Sequence, residues 1–449
     1  MPYVTSAPVV SRQQTEIRPL LQERLHTLAR AHQVPGAQLA VHTDGVTYTV
    51  HTGEADATTG RPFTADTAVP LGSVTKCATA AVVMLLAADG DLALTDRVAT
   101  YVPELRTSRA TVRQLLSHTA GLPTGPDSDH VATLTPSRYL SAHCAERDAV
   151  CAPGTGFSYS NAGFIAAGRL IESVTGMTWQ EAVRAFLLEP LGTAPAFLGD
   201  PAARPVASGH SANALSGRVR AVQQTLAPVE APAGALLASA LDLVALGRDL
   251  IGQGPRAVLP HDAAEEMRRP VPGAVPGVLA DAWGLGLALF QQGTAQWCGH
   301  DGNAQGTSCH LRAEPESGTV VAFTSNANSG TALWQALADD LAEIIGRGVP
   351  AAPAPREAGR PLALPQCAGT YHNGTVEYRV TADAAGSLAL SVNGDTPAPL
   401  VCYADLSCDL VDPSNGRRVP GGNFVRDPET GAIDRLQISG RTARRTGTA

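Results

Sequence analysis

The sequence predicts an α+β protein in two parts. An antiparallel sheet is assembled from both ends of residues 1–348 around a helical insert, and a small β-domain follows at 366–449. Three observations carry this. Runs with a period of two occur near the start and again late, while the stretch between them reads as helical. A Pro- and Ala-rich segment, 349–365, then acts as a linker. Beyond it the chain alternates in short strands separated by turn signals. Strands at both ends of one unit imply a shared sheet packed on the insert, and sites lie in such seams.

Taken in order, residues 14–32 place Ile17, Leu20, Leu21, Leu25 and Leu28 at three-four spacing, an amphipathic helix. Runs 36–41 and 46–51 form strands joined through Asp44-Gly45, a hairpin signal. The apolar run Ala80 to Leu86 lies in a helix that opens near Ser73, and 89–250 reads as helices broken by Pro and Gly. Strand patterns return at 284–290, 295–299, 307–313 and 319–324. A second amphipathic helix at 331–345 carries Leu333, Trp334, Leu337, Leu341 and Ile344. In the last domain, 376–380, 387–392 and 433–439 alternate, with turns at Asn393-Gly394 and Asn415-Gly416. That pattern fits a barrel or strongly curved sheet.

Composition excludes several partners. A net charge of −8 argues against a nucleic-acid surface or an anionic membrane. Residues 1–30 lack the pattern of a signal peptide, and no uninterrupted apolar run approaches the roughly 20 residues of a membrane span. The expected location is the cytoplasm, where the eight Cys are mostly reduced thiols. None forms a Cys-x-x-Cys pair, so neither zinc nor another cofactor is expected.

The stretch that carries chemistry is Leu71-Gly72-Ser73-Val74-Thr75-Lys76. Positions three apart share a helix face, so the Lys76 amine can sit beside the Ser73 hydroxyl. The helix N-terminus favours an alkoxide and disfavours protonation of a nearby amine. Lys76 is also the only lysine among 33 basic residues. Arginine stays charged at any useful pH, whereas a desolvated lysine can lose its proton. Ser73 therefore reads as a nucleophile with Lys76 as its base.

Two clusters supply partners. Phe157-Ser158-Tyr159-Ser160-Asn161 follows Pro153-Gly154 in a loop setting. There the Tyr159 phenol can relay protons and the Asn161 amide can hold a substrate carbonyl. Gly299-His300-Asp301-Gly302-Asn303 sets a histidine at a strand edge between glycines, with room for a ligand backbone alongside. Singly, a Tyr-x-Asn or a lone His is more often structural. As an ordered set they mean more.

That set, Ser73-x-x-Lys76, Tyr159-x-Asn161 and His300-x-Gly302, resembles the serine β-lactamase and penicillin-binding-protein superfamily in its class C and D,D-peptidase branch. The resemblance covers about 12–345. Residues 112–122 look like a further family fingerprint, read as scaffold, with His118 packed or turn-stabilising. Segments 157–161, 188–198 and 299–309 resemble penicillin-binding-protein-type thioesterases, the surugamide-type cyclases of nonribosomal peptides, which carry a lipocalin-like domain after the catalytic one. Pro232-Ala233-Gly234-Ala235 departs from those relatives, which usually show two glycines, and this bears on the shape of the acyl-residue pocket.

The resemblance implies head-to-tail macrocyclisation of a linear peptidyl thioester delivered on a peptidyl carrier protein, with a D-configured C-terminal residue. Catalysis would rest on Ser73, Lys76, Tyr159 and His300. The backbone N–H groups of Ser73 and Asn303 would form an oxyanion hole, about 3 kcal/mol per donor. Asn161, Asp301, Gly302, Gly234 and Arg441 would face the substrate. The competing readings are a cytosolic serine esterase, amidase or transacylase, and a binding module without turnover, which the intact set of four disfavours.

Overall fold

The computed structural model describes residues 12–126, 128–201, 203–213, 216–354, 359–412 and 416–447. Helix α1 (Arg12–Ala31) buries Ile17, Leu21 and Leu25, while Leu20 is 46% exposed, so the apolar stripe is narrower than the run of leucines suggested. Strands β1 (Gly36–Thr43) and β2 (Val46–Asp56) form the expected hairpin. Asp44 and Gly45 both take positive φ, 48° and 77°, as a type I′ turn requires.

The main sheet adds β3 (Arg61–Pro62), β4 (Ala282–Trp283), β5 (Ala288–Gln292), β6 (Ala295–Ala304), β7 (Thr307–Glu314) and β8 (Thr319–Ser325). The strand order is β3-β2-β1-β8-β7-β6-β5-β4, antiparallel throughout. The two ends of the unit meet where β1 pairs with β8, Ala40 opposite Ala322. Strand alternation sends Leu39, Val41 and Phe323 to one apolar layer and Ala40, Leu311 and Ala322 to the other. Of the stretch 284–290, expected as one strand, only 288–290 belong to β5, and 284–287 form the connection from β4. Gly286 turns at φ +72°, and a Cβ there would run into Ala80.

Helix α2 (Thr75–Asp89) is buried on nearly every side, which marks a central helix. By length and composition the span Gly72–Asp89 is apolar enough to cross a membrane, contrary to the expectation that no run comes close; 72% of it is buried inside this protein as core. Helix α3 (Asn161–Thr175) packs against α2, and α4 (Gly330–Ile345) packs beside α1. The insert is helical but also holds short strands, among them Gly209–Asn213, Arg218–Val222 and Leu236–Ala238.

Among the described residues, 346–364 contain neither helix nor strand, yet this linker is pinned at its start. The fully buried Arg312 donates from Nε to Pro350 O (2.8 Å) and from Nη2 to Ala351 O (3.2 Å). After it, β9 (Gly369–Asn373), β10 (Val376–Ala382), β11 (Leu388–Val392), β12 (Ala398–Cys402), β13 (Ser407–Val411), β14 (Arg418–Arg426), β15 (Ile433–Ile438) and β16 (Arg441–Gly447) close into an antiparallel barrel. Asn393 and Gly394 take the positive φ of their turn; Asn415 lies outside the described residues. All eight cysteines are free thiols.

Arg312 is charged in a dry place, held between the Phe290 ring at 3.9 Å and Trp334 at 5.7 Å. Its counter-ion is Asp301, reached at 2.7 and 3.1 Å. Asp301 is itself half-exposed, but Arg312 is not, so removing the carboxylate leaves a fully buried cation uncompensated. Asp301→Ala should therefore lower stability by about 3 kcal/mol, read as a lower midpoint in thermal or denaturant unfolding.

Candidate active site

A short strand, Val69–Pro70, runs into a 3₁₀ turn at Gly72–Val74, which feeds α2. Gly72 sits at φ +53°, and a Cβ on it would run into the Asn303 carbonyl. A Cβ on Gly302 would run into the Leu71 carbonyl. These two glycines let β6 lie backbone to backbone against the Ser73 turn. Ser73 and Asn303 consequently line one cleft, with a volume of about 720 Å³. That lies within the range of about 300–1,000 Å³ typical of ligand sites.

Lys76 is entirely buried. Its Nζ lies 3.1 Å from Ser73 Oγ and donates to Ala233 O at 2.8 Å. The rings of Tyr159 and Phe164 flank it at 5.0 and 5.7 Å. Burial, followed by the charge of Arg441, lowers the amine to about 7 against the opposing pull of Glu230. A neutral amine has two hydrogens and one lone pair. With one hydrogen on Ala233 O, the lone pair remains for the Ser73 hydroxyl proton.

Tyr159 is buried, which pushes its phenol up, so it stays protonated near neutral pH. Its hydroxyl has no hydrogen-bond partner of good geometry but is close enough to Ser73 to interact. A protonated phenol there acts as a relay, taking one proton as it gives another. His300 Nδ1 lies 2.6 Å from Asp301 O. A carbonyl only accepts, so Nδ1 carries the proton and Nε2 is an acceptor, buried without a partner. Burial, then the Lys76 charge, lowers His300 to about 4, which keeps it neutral. Tyr159 and His300 are gathered by the edge of Trp283, at centroid distances of 5.8 and 5.4 Å, and not by a hydrogen bond to each other.

The remaining candidates divide. Asn161 opens α3, lines the cleft and leaves Oδ1 buried without a partner. Gly234 lines the cleft too; a Cβ there would meet Leu226 at 3.5 Å, an ordinary contact, so no glycine is required. Arg441 reaches in from the barrel: Nε donates to Thr124 Oγ1 at 3.1 Å and the guanidinium lies 5.3 Å from the Tyr159 ring centre. Asp301 and Gly302 are corrected. Asp301 turns away from the cleft to His310 Nδ1 (2.7 Å) and Arg312, and although burial opposes it, the Arg312 guanidinium and the His310 N–H hold the carboxyl well below its usual range. Gly302 is a spacer against the Ser73 turn.

His118 is packed among Phe157, Tyr159, Phe164 and Trp283, and its Nδ1 accepts the Ser160 N–H at 3.1 Å. Sequence reasoning missed Thr124, Glu230 and Trp283. Glu230 is buried and lines the cleft, accepting from Ser128 Oγ. Neither Thr124 nor Glu230 stands in a motif, and each reaches the cleft only through folding.

A neutral amine on a serine hydroxyl, with a phenol and an imidazole alongside and an antiparallel sheet closed by both chain ends, defines a serine acyl-transfer class of the β-lactamase type. The beta-lactamase family profile matches residues 17–344, and the chain belongs to that family. Penicillin-binding protein 4 of Amycolatopsis lactamdurans is 34% identical over 372 residues, 78% of this chain and 96% of that protein. The solved structure of SurE is 40% identical, with a TM-score of 0.85, covering 97% of this chain and 100% of the other. SurE with D-Leu gives a TM-score of 0.83 over 96% of this chain and 100% of that one. Unguisins hydrolase ungD′ of Aspergillus campestris is 29% identical over 350 residues, 71% of this chain and 64% of that protein.

A base at about 7 makes Ser73 acylation pH-dependent. The active form is the deprotonated amine, so the rate should rise about tenfold per pH unit below 7 and level above it. Lys76→Arg, which cannot deprotonate, should lower acylation at least about 100-fold and abolish that rise. Single-turnover thiol release from a thioester across pH 5–9 measures both.

Proposed function

We propose that this chain is a peptide cyclase of the cytoplasm: Ser73 takes a nonribosomal peptide from a carrier-bound thioester, and the peptide's own N-terminal amine releases it as a ring. Lys76 accepts the Ser73 proton as Oγ attacks the thioester carbon. The C–S bond breaks, and the proton passes through Tyr159 to the leaving thiolate. The backbone N–H groups of Ser73 and Asn303 are assigned to the oxyanion, and Asn161 to the acyl chain. In the second half the amine forms the C–N bond while the ester C–O bond breaks. One amine proton returns to Ser73 through the same relay, and no proton is left over.

The observation that carries this reading is the roof of the cleft. Ser439 and Arg441 of the barrel, with Val376, Tyr378, Val392 and Ile438, stand over the same space as Ser73. A roof of this kind shelters an ester and gives a folded-back chain something to lie against, conditions under which proximity beats water. Arg441 keeps donors for backbone carbonyls of that chain. Similarity to SurE, whose structure includes a D-Leu complex, supports a D-configured residue at the acyl position. A hydrolase is the second reading, favoured by similarity to unguisins hydrolase.

Linear peptidyl thioesters ending in D- or L-residues, followed by mass spectrometry, test the assignment. Thiol release with a ring product from the D-series is expected; free acid alone from every substrate would leave the hydrolase. Arg441→Ala should cut ring formation about tenfold or more, the loss of one charged hydrogen-bonding group, with first-turnover thiol release little changed once the pH is high enough to deprotonate Lys76 without the Arg441 charge.

A further inference from the structure

Residues 157–160, which carry Tyr159, run extended, and their backbone groups alternate between two neighbours. The Ser158 N–H donates to His118 O (2.9 Å) and the Ser160 N–H to His118 Nδ1 (3.1 Å), both within the catalytic domain. On the other side, the Tyr159 N–H donates to Gly440 O (2.9 Å), and Phe157 O accepts from Thr442 Oγ1 (2.7 Å). This is how a central strand is held between two flanking strands. One flank here is the barrel's β15–β16 hairpin. Buried backbone groups must be paired, so the barrel supplies half the partners of the segment beside Ser73.

Asn373, the last residue of β9, closes the arrangement. It is fully buried. Its Oδ1 accepts the Thr124 N–H at 2.7 Å; its Nδ2 donates to Thr442 O at 2.8 Å and to Ser158 Oγ at 3.3 Å. The Thr442 N–H also donates to Ser158 Oγ, at 3.2 Å. Thr124 O in turn accepts from the N–H groups of Asn161 (3.1 Å) and Ala162 (3.3 Å) at the start of α3. One side-chain amide therefore joins the barrel hairpin, the Tyr159 segment and the wall that carries Asn161.

We propose that Asn373 is a positioning residue that fixes how deeply the barrel seats on the Tyr159 segment, and so decides whether the acyl-enzyme is released to an amine or to water. The proposal rests on the acyl-enzyme reading above. In the amine route the C–N bond forms as the ester C–O bond to Ser73 breaks. The phenol oxygen takes a proton from nitrogen as its own proton goes to Ser73 Oγ, so the phenol must reach both atoms at once. A shift of about 1 Å in such a group costs on the order of 100-fold. Water gives up its proton through the same phenol, but it is small and untethered and enters from any side that a displaced barrel opens, whereas the tethered amine reaches the ester from one direction only.

Asn373→Asp keeps the shape and the acceptor for Thr124 but has no donor for Ser158 and Thr442 when ionised and only one when protonated, against the two of the amide. First-turnover thiol release should fall less than ring formation, since a thiolate departs without waiting for its proton whereas an amine must lose one, and the free-acid-to-ring ratio should rise about tenfold or more, as displacement of a reacting group predicts. Leu390→Ala, in the barrel core, controls for stability alone: it should lower the melting temperature and leave the ratio unchanged. An unchanged ratio in Asn373→Asp, or an equal shift in Leu390→Ala, overturns the proposal. If wild type releases thiol and yields only acid, the cyclase reading fails by itself. The lifetime of the acyl-enzyme then decides: a tenfold change in Asn373→Asp supports the positioning role, and an unchanged lifetime overturns it.

Discussion

The structure depends on keeping one amine dry. A lysine loses its proton near neutral pH only when water is excluded from all of it, and Lys76 is wholly buried. The consequences spread outward. The helix that carries it must be buried on every side, as α2 is from Thr75 to Met84. The neighbouring polar groups must offer an acceptor without a counter-charge in contact, which Ala233 O does at 2.8 Å. The aromatic rings of Tyr159 and Phe164 fill the space that water would take. A chain that elsewhere uses only arginine for its fixed positive charges fits this division of labour.

Around that amine the site is made by three pieces meeting edge to edge. Strand β6 reaches the Ser73 turn only because Gly72 and Gly302 lack side chains. The Tyr159 segment is fixed through His118 on one side and the barrel hairpin on the other. The barrel in turn is linked to the sheet through residues after 345, whose first carbonyls are held by the buried Arg312. Arg312 is balanced by Asp301, the neighbour of His300 in sequence. Sheet, linker and site are thus braced by side chains on alternate faces of a single strand, since successive residues of a strand point opposite ways.

That alternation also explains what the sequence did and did not disclose. Ser73 and Lys76 were legible because helical spacing alone puts them together, Tyr159 because Pro153-Gly154 mark its loop, and His300 because glycines flank it on its strand. Asp301 sits between His300 and Gly302 in sequence, and adjacency suggested a shared role; in the strand it faces the other way. Leu20 counted toward the α1 stripe but lies at its edge, and the strand pattern at 284–290 could not reveal that Gly286 must bend to clear Ala80. Asn373 precedes a glycine and reads as half of a turn. Its partners at Thr124 and Ser158 are more than two hundred residues away, and no local pattern encodes such a pairing.

The same four groups, hydroxyl, amine, phenol and imidazole, serve hydrolysis and ring closure equally well, because both transfer one acyl group from Ser73 and move one proton. The choice between them therefore belongs to the walls of the cleft. Effective molarities of well-oriented intramolecular nucleophiles reach about 10⁵–10⁸ M, far above the concentration of bulk water. A folded-back amine thus needs only a surface that holds it in line, not a stronger base. The catalytic domain supplies one such surface at Asn161 and Gly234, and the barrel supplies the opposing one at Arg441 and Tyr378. A wall built from a second domain can be changed strand by strand while the Lys76 amine stays buried and untouched, so the acyl group the cleft accepts can diverge without cost to the base.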